Sequence, residues 1–288
     1  MPINAERLLS YHVPDIRQAY SNQQSALYAL STGMGQDPMD EWQLAFVDPN
    51  YGEKQRVHPA MPLVLGYPGF WLVRPDTTVD PTRVLHGTQE IEWHRELPPA
   101  GEVIGQTRVL RLVDRGEGKH AMLQSERKIV DAASGEVYAT LRQVHVLRGQ
   151  GGFSDDETPA FPQHRLPQTP PQLSAIVTTR PEQALLYRLN GDLFALHADP
   201  SMARRSGFER PILHGMCVAA MATQVLLRLL ADDEPARMKA IQLRFSSAVY
   251  PGETLKVEAW KDGSFRARVV ERDLVVLDSG LLELHRAT

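Results

Sequence analysis

Residues 214–230 read HGMCVAAMATQVLLRLL. From Met216 to Leu230 only Thr223, Gln224 and Arg228 are polar, so a helix here is apolar on nearly every face. Such a helix belongs inside a protein, yet it is too short to cross a bilayer. The chain that follows changes period. Ile241, Leu243 and Phe245 alternate with Gln242, Arg244 and Ser246, and Leu255, Val257 and Ala259 alternate with Lys256, Glu258 and Trp260. Phe265, Ala267 and Val269 are separated by two arginines, and LVVLDSGLLEL (274–284) completes the pattern. Period two predicts antiparallel strands with one buried face.

One long apolar helix followed by about four antiparallel strands predicts a sheet wrapped around a helix, the hotdog arrangement. The rest of the chain suggests a second copy. GGFSDDETPAFPQHRLPQTPPQLS (151–174) holds five prolines and an acidic run, and it reads as a linker near the middle. On either side of it ALYALSTGM (26–34) echoes LLYRLNGDL (185–193), which sets Tyr28 opposite Tyr187 and Gly33 opposite Asp192. IEWHRELPPAGEVI (91–104) likewise echoes LRFSSAVYPGETL (243–255). Two echoes in the same order favour a duplication. The expected fold is therefore α+β, a double hotdog with each sheet around a long apolar helix. Residues 1–150 form the first repeat, 151–174 the linker and 175–288 the second repeat.

Bulk properties narrow the function. With 288 residues, 42% hydrophobic and 23% charged, the chain has ordinary globular composition, and its net charge of −4 gives no pull toward nucleic acid. A single cysteine, Cys217, excludes an internal disulfide and a multi-cysteine metal site. No signal-peptide core opens the chain, no candidate membrane span is free of charges or prolines, and LLELHRAT carries no peroxisomal, reticular or prenylation signal. A cytoplasmic protein with no nucleic-acid or membrane partner is expected.

The chemistry concentrates in NGDLFALHADP (190–200). Pro181 opens a helix carrying Leu185, Leu186 and Leu189, and Asn190-Gly191 ends it. Asp199-Pro200 reads as a cap and first helical residue of a short helix that Gly207 closes. Asp192 and His197 lie between these two marks. On a helix, five positions would set their side chains about 140° apart, so they can cooperate only from a loop.

The run YRLNGDLFALHADPSMARRSGFERPILHGMC (187–217) resembles the signature of the MaoC-like hydratases, in particular the (R)-specific enoyl-CoA hydratases called hydratase 2. Their pattern, Gly-Asp-x-Asn-Pro-x-His, then Asp-Pro and an ILHG-type segment, is matched at Gly191, Asp192, His197, Asp199, Pro200, Leu213, His214 and Gly215. VLHGTQEIEWHRELPPAGEV and LRGQGGFS carry a likeness to the non-catalytic half of two-repeat members. The resemblance implies a hydro-lyase that interconverts trans-2-enoyl-CoA and (3R)-3-hydroxyacyl-CoA. Asp192 and His197 form its acid/base pair, with His197 assigned to water activation and Asp192 to protonation at C2. Gly215, at the start of the buried helix, supplies a backbone N–H to the thioester oxygen.

The resemblance breaks where the family has Asn-Pro and this chain has Phe194 and Ala195. Phe194 cannot make the asparagine's hydrogen bond and adds bulk near the reacting carbons, so slower hydration, a reshaped pocket or lost activity are open; the reading taken is an active enzyme with an altered acyl preference. His214 and Met216 flank the N–H donor as substrate contacts. Arg204, Arg205 and Arg210 are candidates for the phosphates of CoA, although a solvated helix face explains them as well. Cys217 reads as core, and His86-Gly87 as a structural imitation of His214-Gly215. Gly33 in place of Asp192 leaves one site per chain and frees the first half to hold the acyl chain. No metal or organic cofactor is expected, since no GxGxxG, P-loop or HExxH motif is present. Hotdog proteins also include thioesterases, so an acyl-CoA thioesterase and a catalytically weak acyl-CoA-binding homologue are the competing readings. A homodimer is compatible with the fold, though two repeats already pair their own sheets.

Overall fold

A computed structural model describes residues 3–154 and 161–285. The centre of the linker and the last three residues, on which the C-terminal targeting expectation rests, lie outside the described residues. The first half supplies β1 (Ile16–Tyr20), β2 (Val84–Trp93), β3 (Gly101–Asp114), β4 (Ala121–Asp131) and β5 (Val137–Leu147), with helices α1 (Ala5–Leu9), α2 (Asn22–Ser31) and α3 (Glu41–Val47). The second supplies β6 (Leu173–Thr178), β7 (Met238–Phe245), β8 (Thr254–Ala259), β9 (Ser264–Val269) and β10 (Leu274–Leu284), with α4 (Gln183–Tyr187), α5 (Pro200–Arg205) and α6 (Gly215–Leu230). The fifth strand of this half, β6, begins inside the stretch that reads as linker.

All ten strands form one antiparallel sheet in the order β1-β3-β4-β5-β2-β7-β10-β9-β8-β6. Adding five to each first-half strand number reproduces the second half read inward from its own edge, which is the pattern a duplication leaves. The halves meet at β2 and β7, where Ile91 faces Ile241 and Gln89 faces Leu243. In the sequence echo Ile91 corresponds to Leu243 and Gln89 to Ile241, so each of these pairs maps onto the other. The seam therefore carries the local two-fold axis of a double hotdog.

In the second half α6 crosses the sheet as the wrapped helix, and Cys217–Leu227 are buried throughout. Full burial of a Leu or Met side chain such as Leu226, Leu227 or Met221 contributes about 1.5–3 kcal/mol each. The expectation of a long apolar helix in both repeats needs correction for the first. Its longest described helix is α2, with 10 residues. Irregular chain crosses this sheet instead, burying Met61, Leu63 and Leu65. Pro59, Pro62 and Pro68 remove amide donors along that stretch, which forms one 3-10 turn, Met61–Leu63, and no α-helix. The crossing is close: a Cβ on Gly105 of β3 would collide with the carbonyl oxygen of Gly66. Among the described residues no helix is long and apolar enough to cross a membrane.

Candidate active site

The loop that carries the pair is pinned at both ends. After α4 the chain tightens into a 3-10 turn, Arg188–Asn190, and leaves it through Gly191 at φ +112°, a left-handed conformation that favours glycine. The Asn190 amide donates to the Ser31 hydroxyl of α2 and to the Tyr187 carbonyl, both at 2.8 Å, which ties the loop to the first half. The Phe194 N–H donates to the Asp192 carboxylate at 3.3 Å. A second 3-10 turn, Ala195–His197, then presents the imidazole. Asp199 caps α5 by accepting from the Ser201 N–H at 2.8 Å, with Pro200 at the first helical position.

Asp192, His197 and His214 converge: one donor atom from each lies within 4.8 Å of the others. His197 Nδ1–H donates to the Ile212 carbonyl at 2.9 Å, so the remaining lone pair sits on Nε2. The His214 ring stacks on His197, centroids 3.7 Å apart, and its Nε2–H donates to the Asp192 carbonyl at 3.2 Å. Burial lowers the His197 pKa below its ordinary value, against the pull of the Ile212 carbonyl and Asp192. Burial first, and the neighbouring His197 second, press His214 down to about 2. Burial thus favours the neutral form of both rings. The three donor atoms are also of metal-ligand type and lie close enough together to hold an ion.

Gly215 begins α6, and its N–H has no intrahelical acceptor. Its missing side chain makes room for Phe245, since a Cβ would sit 3.1 Å from that ring. Met216 and Asp192 line a cavity of about 80 Å³, whose other wall, including Tyr67, Phe70 and Arg127, comes from the first half. Phe194 packs edge-on against Phe70 at 5.8 Å and stands 6.1 Å from His197. The substitution that breaks the motif therefore joins the two repeats beside the site. Arg204, Arg205 and Arg210 are exposed and outside this cavity; Arg210 lies over the Tyr250 ring at 5.0 Å. The guanidinium that acts on the pair is Arg188, whose positive charge depresses both histidines. Cys217 is fully buried with its thiol pKa pushed up by burial.

Tertiary packing also reveals the site's degenerate counterpart. Tyr28 and Tyr187, matched by the sequence echo, pack against each other at 6.1 Å. Tyr187 touches His214 at 4.9 Å, and Tyr28 touches His58 at 5.5 Å. The counterpart of His214-Gly215 is thus His58-Pro59, whereas His86-Gly87 lies within β2. Proline has no N–H to offer an oxyanion, and Gly33 offers no carboxylate. Arg188, the histidine stack and the first-half wall have no motif in the sequence; only the tyrosine echo pointed toward His58.

The fold is a double hotdog, and Asp192, His197 and His214 meet at one place in it among the described residues. Residues 163–279 match the MaoC like domain and residues 18–149 the MFE-2 hydratase 2 N-terminal domain. The chain belongs to the MaoC-like dehydratase family, in its two-repeat hydratase 2 form. It is 37% identical to the peroxisomal enoyl-CoA hydratase 2 of Arabidopsis thaliana, over 95% of this chain and 93% of that one. A MaoC-like dehydratase from Phytophthora capsici superposes with a TM-score of 0.86 at 29% identity, covering 99% of this chain and 100% of the other. A Mycobacterium tuberculosis protein described as having a double hotdog fold shares the architecture, with TM-score 0.54, 16% identity and 94% and 93% coverage.

Proposed function

We propose that this protein is a hydro-lyase that interconverts trans-2-enoyl-CoA and (3R)-3-hydroxyacyl-CoA, with an acyl preference altered by Phe194. The observation that carries the reading is the meeting of Asp192 with His197, whose Nδ1–H is held by the Ile212 carbonyl so that Nε2 is free to act as base. In hydration, His197 Nε2 takes a proton from water as its oxygen bonds to C3. The electrons of the double bond move onto the thioester oxygen, which accepts the Gly215 N–H. His197 passes the proton it took from water to Asp192, which delivers it to C2, and both groups return to their starting states. No metal or organic cofactor enters this scheme. His214, Met216 and Phe194 border the acyl group, while Arg204, Arg205 and Arg210 are the proposed contacts for CoA phosphates outside the cavity.

We assign residues 175–288 to catalysis and 1–150 to acyl-chain accommodation, joined by 151–174. Cytoplasmic location and a homodimer complete the proposal. The exposed Leu185, Leu189 and Leu193 beside the site support burial against a second copy.

The test is turnover of short and long trans-2-enoyl-CoA, followed by loss of the conjugated absorbance with a thiol reagent in parallel. Loss without thiol release, abolished by Asp192→Asn and by His197→Ala in folded protein, is the expected result. Thiol release would replace the hydratase with a thioesterase, and binding without turnover would leave an acyl-CoA-binding protein.

A further inference from the structure

The inward face of the first-half sheet is polar where the second half is not. Under α6, Leu255, Val257, Ala259, Phe265, Ala267 and Val269 are fully buried. Across the first half the cross-strand rows run Thr107–Arg127–Leu141 and Ser125–Gln143–Gln89, with His145 opposite His86. At the seam Gln89 occupies the position that the two-fold axis relates to Ile241. Every member of these rows except Ser125 lines the cavity beside Asp192.

Four polar atoms around this one cavity are buried without a hydrogen-bond partner: Gln89 Oε1, Thr107 Oγ1, Arg127 Nε and His145 Nδ1. An unpaired buried polar atom is costly, so their concentration points to a ligand. Arg127 is the centre of the set. It is only 8% exposed, donates to the Leu63 carbonyl at 2.6 Å and lies over the Tyr67 ring at 5.2 Å. Among the described residues no carboxylate forms an ion pair with it, and Asp192 on the same cavity is turned to the Phe194 N–H instead. A buried guanidinium without a counter-charge is costly, and an anion supplied by the substrate removes the cost.

We propose that the acyl group handled by this site ends in a carboxylate that Arg127 binds, so that the substrate class is the CoA monothioester of a short unsaturated dicarboxylic acid. The inference rests on the hydratase reading and names its substrate. Length follows from volume. The cavity, about 80 Å³, is roughly half of the ~150 Å³ that accommodates benzene in an engineered core, so it takes three or four heavy atoms. That is one methylene and a carboxylate beyond C3.

The experiment compares kcat/KM for trans-2-pentenoyl-CoA, its 5-hydroxy counterpart and trans-2-pentenedioyl-CoA esterified at C1. The wild type should favour the dicarboxylic thioester by about 30-fold or more over pentenoyl-CoA, the scale of a buried charge pair. Arg127→Met should erase that preference, read as the ratio of the two kcat/KM values, and Arg127→Lys should keep part of it. If Arg127→Met fails to fold, the wild-type ratios and the Lys variant decide. Equal rates for pentenoyl-CoA and the dicarboxylic thioester, or a 5-hydroxy substrate as good as the carboxylate, overturn the inference and leave the hydratase standing. If none of the three is hydrated, the hydratase reading fails for this class, and calorimetric binding of glutaryl-CoA against valeryl-CoA judges the pocket by itself; equal affinities overturn it.

Discussion

Acidification from pH 7.5 to 5.5 should unload a large part of the stability of this fold, through four buried histidines. Burial is the first cause in each case, and it holds His58 and His145 down to about 3, His86 to about 4 and His214 to about 2. All four are neutral in the folded protein at pH 5.5, whereas in the unfolded chain they titrate near 6.5. Below pH 6.5 the unfolded state therefore binds more protons, and the free energy of unfolding falls as pH falls. The contribution is complete above the unfolded pKa and drains away toward the folded values. Between pH 7.5 and 5.5 each group costs about 1.4 kcal/mol, and the four together about 5 kcal/mol. Against a net stability of roughly 5–15 kcal/mol that is a large share. The assay is urea unfolding followed by circular dichroism at pH 7.5, 6.5 and 5.5. His58→Asn is the informative variant, because the Asn oxygen can accept the Ala60 N–H that His58 Nδ1 now accepts at 3.0 Å while one titrating group is removed. It should recover about a quarter of the acid loss. A stability change below about 1 kcal/mol between pH 7.5 and 5.5, or an unaltered slope in His58→Asn, would refute the reasoning.

Activity should resist acid better than an unperturbed histidine allows: because burial lowers the His197 pKa, the acidic limb of kcat/KM belongs below pH 6.5, and a limb centred at or above 6.5 would contradict a buried neutral base. Gly215→Ala places a Cβ 3.1 Å from the Phe245 ring and should lower kcat with little change in KM, with Gly215→Ala/Phe245→Leu recovering much of the rate; no recovery would mean the loss lies elsewhere. Phe194→Ala removes the ring that meets Phe70 and should raise the ratio of long-chain to short-chain kcat/KM, at a stability cost of about 0.5–1.5 kcal/mol for the aromatic pair. An unchanged ratio would separate Phe194 from acyl selection.

Much of this protein was legible from local pattern. Period two in 241–246, 255–260 and 265–269 announced strands, the apolar run 216–230 announced the wrapped helix, and Asn190-Gly191 with Asp199-Pro200 marked the loop that carries Asp192 and His197. These signals are readable because each depends on residues within a turn or two of one another: caps, left-handed glycines and alternation are short-range physics. Even the duplication showed as an echo, since both copies keep the tyrosine and the Pro-Gly-Glu turn or its near equivalent. What tertiary structure alone decided lies between segments far apart in the chain. The first-half helix gave way to irregular chain where Pro59, Pro62 and Pro68 remove amide donors, a loss visible only once the two-fold axis shows what should stand there. The stack of His214 on His197 and the wall of Thr107, Arg127, Gln89 and His145 come from strands and loops that sequence distance does not relate. Burial lowers the pKa of His197, His214, Arg127 and His145, and burial is a property of the packed whole.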